Sequence, residues 1–255
     1  MPTYTQNQLF GSVATTRPTK QSNGTLVNAR YDGYGAAHTV PTMPWRHAQA
    51  LDGAYFSFFS ATLDVNTTEA GHAAPVLADV DATLVKAVAF LRNIGTGDYA
   101  NKKIVLDWLK IHCTTAGANG TSEFWHAQIG TTTRYSSGGV AMTVACPNTD
   151  VASAASDIVT AYNGPIVITA ENSSTRNIGQ GVQRDGIEVA GDTTTFLFGH
   201  DPIATSNAEV ASGTHDLIHL PPVVLPAGAE FILGRGQVAQ TVAGVYKIMG
   251  GFYLV

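Results

Sequence analysis

The side chains best spaced for chemistry sit in Thr214-His215-Asp216-Leu217-Ile218-His219-Leu220-Pro221-Pro222. On a strand His215 and His219 share a face, but four residues at about 3.3 Å each hold their Cβ atoms about 13 Å apart. Two ligands of one zinc each reach the metal at about 2 Å, so this spacing does not serve a single ion. A helix would bring them together, but the tandem proline and the β-branched surroundings oppose one. His200-Asp201 falls in a turn-like Phe-Gly-His-Asp-Pro, His112 precedes Cys113, and His126 follows Trp125. No His-x-His occurs. A cupin-like metal enzyme can nonetheless draw ligands from separated strands. That reading requires His112, His126, His215 or His219 to converge.

Other chemical patterns are weaker. Ser136-Ser137-Gly138-Gly139 and Ser173-Ser174 read as turns, and neither is a Gly-x-Ser-x-Gly elbow. Gly179-Gln180-Gly181 lacks the third glycine and the following helix of a dinucleotide site. Asp79 and Asp81 are paired acids, the residue type of a glycosidase, but an Ala/Val context surrounds them without an aromatic cleft. Cys113 and Cys146 are too few for a disulfide framework or a four-cysteine zinc site, and both lie in apolar runs that suit free thiols. Four Asn-x-Ser/Thr triplets, at Asn23, Asn66, Asn119 and Asn172, are read as chance in a chain rich in Asn and Thr. The residues therefore predict no catalytic, cofactor or metal site, and no enzyme.

The elements that would carry such residues are strands. The run Ala54–Val65 is rich in aromatic and β-branched residues, and Leu84–Ile94 and Lys103–Cys113 follow it around a turn at residues 95–101. Glu69–Asp81 is Ala-rich and suits a short helix or an ordered loop. Short runs follow at Phe124–Ile129, Val140–Cys146, Ile166–Ala170, Asn177–Val182, Ile187–Val189 and Thr195–Gly199, each bounded by Gly, Asn, Asp or Pro. Asp150–Asn163 is the best helix candidate, with Asp150 as N-cap, helix-forming alanines, and a stop at Asn163-Gly164-Pro165. Near the end, Pro221-Pro222 marks an edge, a bulge or a strand crossing between sheets. Pro226-Ala227-Gly228 makes a turn, and Ala243–Val255 closes the chain as a strand. Many short strands and little helix predict an all-β jelly-roll β-sandwich over residues 51–255, with at most one or two short helices. The last strand is expected in the middle of a sheet.

Residues 1–50 read differently: polar, aperiodic, and punctuated by isolated apolar anchors. They predict an extended N-terminal arm that packs on a neighbour or along its own domain. Phe10, Tyr31, Tyr34 and Trp45 are its candidate contact residues, since large aromatics dominate interface energetics. The opening residues lack the basic start and apolar stretch of a signal peptide, and no apolar run of membrane-spanning length occurs.

Composition bears on partners. The 255 residues carry a formal charge of -5, and only 13% are charged against 44% hydrophobic. A charge-poor surface rich in Thr, Ser and Asn suits burial against other chains, because interface cores are depleted in charge. Phosphate binding needs clustered Lys and Arg, so direct nucleic-acid binding is not expected. A full core is available without metals or disulfides, since a chain of this size buries about 70% of its extended surface.

The closing run Leu217-Ile218-His219-Leu220-Pro221-Pro222-Val223-Val224-Leu225-Pro226-Ala227-Gly228-Ala229-Glu230-Phe231-Ile232-Leu233-Gly234, followed by an apolar final strand, resembles the tail of jelly-roll head decoration or cement proteins (minor capsid proteins) of tailed bacteriophages. The resemblance covers about the last 40 residues. It implies a virion structural protein on the capsid surface, made in the host cytoplasm, with no catalytic residues or cofactors. It also implies a homotrimer that binds the major capsid protein, with the arm stapling neighbours. A carbohydrate- or receptor-binding module of a phage appendage is the alternative, with an exposed aromatic platform at Trp108 or Trp125. In a strand, Trp108 reads as a core residue rather than as part of a platform.

Overall fold

The computed structural model describes residues 49–50, 52–60, 67–69, 86–118, 122–149, 158–185, 189–199, 215–237 and 244–255. The arm with its anchors Phe10, Tyr31, Tyr34 and Trp45 lies outside them, as do Asp79, Asp81 and His200. Residues 49–255 form a compact unit of their own.

The described residues of this unit form thirteen strands: β1 Tyr55–Ser60, β2 Thr67–Glu69, β3 Lys86–Asn93, β4 Ile104–Thr115, β5 Ser122–Gly130, β6 Tyr135–Ala145, β7 Val159–Ile168, β8 Arg176–Asp185, β9 Thr193–Phe198, β10 His215–Leu220, β11 Val224–Leu225, β12 Glu230–Gln237 and β13 Gly244–Leu254. One 3-10 turn, Gly97–Tyr99, lies between β3 and β4. The all-β expectation holds.

The strands form two layers that share β6. The first sheet runs β10-β9-β4-β13-β1-β6 and the second β6-β7-β3-β12-β5-β8, while β11 adds to β4 and β2 to β13. Among the described residues β10 and β9 pair in parallel and the other strand pairs are antiparallel. Between β1 and β5, and again between β8 and β13, the chain repeatedly crosses from one layer to the other. This places β1-β13-β4-β9 side by side in one sheet and β3-β12-β5-β8 in the other. The final strand sits between β4 and β1, in mid-sheet.

Period-2 alternation builds the core. In β1, Phe56 and Phe58 point inward and are fully buried, while Tyr55, Ser57 and Phe59 point outward. β13 sends Tyr246, Ile248, Phe252 and Leu254 inward. Phe56 stacks on Phe252 with centroids 5.4 Å apart. Across the layers Trp125 meets Phe196 edge-on at 5.3 Å and Phe198 meets Phe231 at 5.4 Å. The Arg235 guanidinium lies 4.1 Å over the Tyr246 ring, a cation–π contact inside the sandwich. A Cβ on Gly179 of β8 would stand 2.5 Å from the Leu220 side chain of β10, so the two outermost strands approach one another at that point.

Three sequence expectations fail here, each for a physical reason. The helix proposed for Asp150–Asn163 is strand from Val159 onward, because Val159–Asn163 pairs with β3 and with β6. Cross-strand pairing overrides the weak helix propensity. The stop at Asn163-Gly164-Pro165 is a bulge inside β7: the register slips on both sides of it, so Pro165 needs no ladder donor there. Ser136-Ser137-Gly138-Gly139 does not end a strand but bends one. Gly138 and Gly139 have φ of 77° and 76°, and the register shift beside them lets β6 leave the second sheet and join the first. Ile187–Val189 is also only partly testable: Val189 lies outside any strand, and the rest of that run falls outside the described residues.

Candidate functional site

The histidines do not converge. His112 lies on the outer face of β4, where its Nδ1 is 3.1 Å from the Thr193 hydroxyl. His126 lies on the outward side of β5, in the opposite layer, because its neighbours Trp125 and Ala127 belong to the core between the sheets. His215 and His219 are in β10, at the edge of the first sheet. Among the described residues, no group of three His, Cys, Asp or Glu side chains is placed to hold a metal ion. Cys113 and Cys146 are free thiols, the first buried and the second half-buried.

The densest polar cluster was not anticipated. It lies on the outward side of the second sheet, around Arg134, one of the largest fully buried side chains. Its Nε donates to the Thr169 carbonyl at 3.0 Å and its Nη1 to Gln128 Oε1 at 2.7 Å. Its backbone N–H donates to both carboxylate oxygens of Glu230, at 2.9 and 3.0 Å. Gln128 Nε2 in turn donates to Glu171 and to Asn177 Oδ1. Burial raises the Glu230 carboxyl above the usual glutamate range, against the opposing pull of the Arg134 N–H and guanidinium and of Arg92. The segment joining β5 and β6 supplies Arg134, and the start of β12 supplies Glu230. The network ties that connection to the sheet.

His126 adjoins it. Its ring lies on Gly234 of β12, where a Cβ would come within 2.2 Å of Cε1. It is 1% exposed and neither ring nitrogen has a hydrogen-bond partner. Burial, and then the Arg134 charge, lower its pKa from 6.5 to about 4. The neutral ring is therefore what the fold accepts. Between about pH 6.5 and pH 4 the unfolded chain binds a proton that the folded one refuses, so stability falls as pH falls. The full loss is on the order of 3 kcal/mol, the free-energy equivalent of that change in proton affinity. Urea titrations at pH 7, 5.5 and 4 on the natural chain and on His126→Phe measure it. The variant is expected to lack that part of the decline, and an identical pH dependence would refute the assignment.

The two tryptophans offered as an aromatic platform part company. Trp125 is in the core against Phe196. Trp108 is not a core residue: it is half-buried on the outer face of the first sheet, where a bulge in β4 sets it opposite Gly251. Its Nε1 donates to the Tyr55 hydroxyl at 2.9 Å, and that hydroxyl donates to Asp107 Oδ2 at 2.9 Å. A Cβ on Gly251 would stand 2.2 Å from the Tyr55 oxygen, so the bare glycine makes room for this arrangement. Tyr253 lies in the same region, its pKa raised by burial and by the Asp107 charge.

The same face leaves large apolar side chains in solvent: Phe59 and Met249, each 40% exposed, face one another across the β1–β13 ladder. Sequence reasoning passed over both. The signal was present in the alternation of Tyr-Phe-Ser-Phe-Phe-Ser, because once Phe56 and Phe58 are inward Phe59 must be outward.

No protein-family model matches the chain, and neither a curated protein nor a solved structure matches it.

Proposed function

We propose that the chain is a non-enzymatic structural protein of a virion, a decoration or cement protein that associates with itself as a trimer and stabilises a phage head by binding its major capsid protein. The observation that carries this reading is a charge-poor chain whose folded domain keeps large apolar side chains exposed. Only 13% of residues are charged, and Leu217, Phe59 and Met249 of the first sheet stand 50%, 40% and 40% exposed. Isolated exposed apolar residues are ordinary, but apolar side chains grouped on a face poor in charge suit an interface.

The architecture supports it. With β1-β13-β4-β9 facing β3-β12-β5-β8, and the chain alternating between the two, we read the sandwich as a jelly roll with the β6–β7 hairpin inserted between β5 and β8. The fold alone assigns no function. The polar groups best able to do chemistry, Arg134, Glu230, Gln128 and His126, are buried, which suits a structural role. Light scattering on the purified full-length chain tests self-association: the expected mass is three times 26.7 kDa, and a 26.7 kDa species at every concentration contradicts the reading.

A second reading, a glycan- or receptor-binding module, draws on one observation. Trp108, Tyr55 and Tyr253 are half-buried on one face, a cluster of aromatic rings of the kind on which sugars stack. It predicts glycan binding that Trp108→Ala abolishes.

A further inference from the structure

Strand β8 ends the second sheet and, among the described residues, pairs with β5 alone. Its middle is lightly held. The register slips between Glu123 and Phe124 and again between Ala127 and Gln128, so the unbroken ladder runs only from the Phe124–Val182 pair to the Ala127–Gly179 pair. This stretch brings little of its own to the core. A Cβ on Gly179 would stand 3.1 Å from the Trp125 ring and one on Gly181 3.4 Å from it, so both glycines lie flat on the indole. Gln180 between them is exposed. A segment with few buried apolar side chains opens at lower cost than the sheet around it.

The approach to β8 is tied down. Gln128 donates to Glu171 and to Asn177, and Arg134 donates to the Thr169 carbonyl. Ile178 is the extra residue of the bulge, and the tied part ends there. Just beyond it lies His126, paired with Gln180 of β8 on one side and Gly234 of β12 on the other. Both ring nitrogens would stand 2.7 Å from a Cβ on Gly234, and both are buried without an acceptor. The charge that acts on the ring is Arg134. Its flanking residues Gln180, Gly234 and Gln128 carry no charge. Glu230 of β12 accepts from the Arg134 N–H, Glu171 is bound to Gln128, and Arg235 turns into the sandwich over Tyr246. Glu123 pairs with Arg184 beyond the far bulge. A proton on His126 therefore adds a second cation beside Arg134, where neither N–H has a partner. Lifting β8 opens one flank of the ring to water.

We propose that His126 is an acid-sensitive latch on the edge of the second sheet: protonation of its ring releases residues 179–185 of β8 while the rest of the domain stays folded, baring Trp125 and the edge of β5. With the strand lifted the ring titrates near its ordinary 6.5, against about 4 with the strand in place. The closed strand is thus favoured above that window and loses ground as pH falls through it. Between pH 7 and pH 5 the open population rises by up to about 20-fold.

Amide hydrogen exchange, read by peptide mass spectrometry, tests this on the full-length chain and on His126→Phe at pH 7 and pH 5. His126→Leu serves if phenylalanine is not accommodated. Comparing the two chains at one pH cancels the pH dependence of the exchange chemistry itself. The ratio of natural to variant exchange in residues 179–185 is expected to rise by up to about 20-fold from pH 7 to pH 5, while the ratio in β4 and β13 stays constant. An unchanged ratio in residues 179–185 overturns the latch. An equal rise in β4 and β13 also overturns it, because acid would then act on the whole domain.

Discussion

Gly250→Ala is expected to destabilise the domain by about 3 kcal/mol or more, lowering its melting temperature by about 6–12 °C. Gly250 lies in β13 with β4 on one side and β1 on the other. A Cβ there would stand 2.2 Å from Phe58 Cζ and 2.6 Å from the Trp108 carbonyl oxygen. Phe58 is 1% exposed and packed against Phe252, so its ring has nowhere to retreat. The carbonyl belongs to the β4 backbone, which the ladder to β13 fixes, so relief requires the central pair of strands to separate. Gly228→Ala is the informative comparison. That glycine has φ of 85° in the turn before β12, but a Cβ there meets nothing within 4 Å. Only the backbone preference opposes alanine at that position, at about 1 kcal/mol. Thermal melts of both variants decide the matter. Equal effects would mean that the close approach of Phe58 and β4 to Gly250 does not exist in solution.

Arg134→Met is expected to cost about 3–5 kcal/mol, the range for removing one partner from a buried charged cluster. The substitution keeps most of the side-chain volume and keeps the backbone N–H that donates to Glu230. It removes the donors to the Thr169 carbonyl and to Gln128 Oε1. It also removes a cation that favours the ionised form of Glu230. The loss should depend on pH in a definite direction. Glu230 already holds its proton above the usual glutamate range, so it favours folding less as pH rises through its folded-state pKa. Without Arg134 that pKa rises further, so the variant should lose more stability at pH 8 than at pH 5. This is opposite in sign to the His126 effect, which appears on the acid side. Urea unfolding at the two pH values measures it. A cost below about 1 kcal/mol, or one equal at both, would show that the network contributes little.

Much of the fold was legible in the sequence because it rests on local alternation. Tyr55–Ser60, Ile104–Thr115 and Gly244–Leu254 become strands where aromatic and β-branched residues alternate with polar ones. What was not legible depends on partners distant in sequence. Val159–Asn163 looked helical until β3 and β6 flanked it. The serine–glycine run at 136–139 looked like a turn, and only the jump of β6 between layers gives its two left-handed glycines their purpose. Nothing in the Thr-rich stretch around Arg134 marks it for burial; its partner Glu230 is 96 positions away. Trp108 read as core by its apolar neighbours, but the bulge at Asp107 turns it outward. The exposed pair of Phe59 and Met249 required the register of β1 against β13, which no single segment contains.

The most direct test of the structural reading is a density-gradient separation of particles from the cells in which the chain is made, with peptide mass spectrometry of each fraction. The account predicts that the chain bands with nucleic-acid-filled particles at a fixed ratio to their main shell protein. Recovery only among the soluble proteins at the top of the gradient would contradict it.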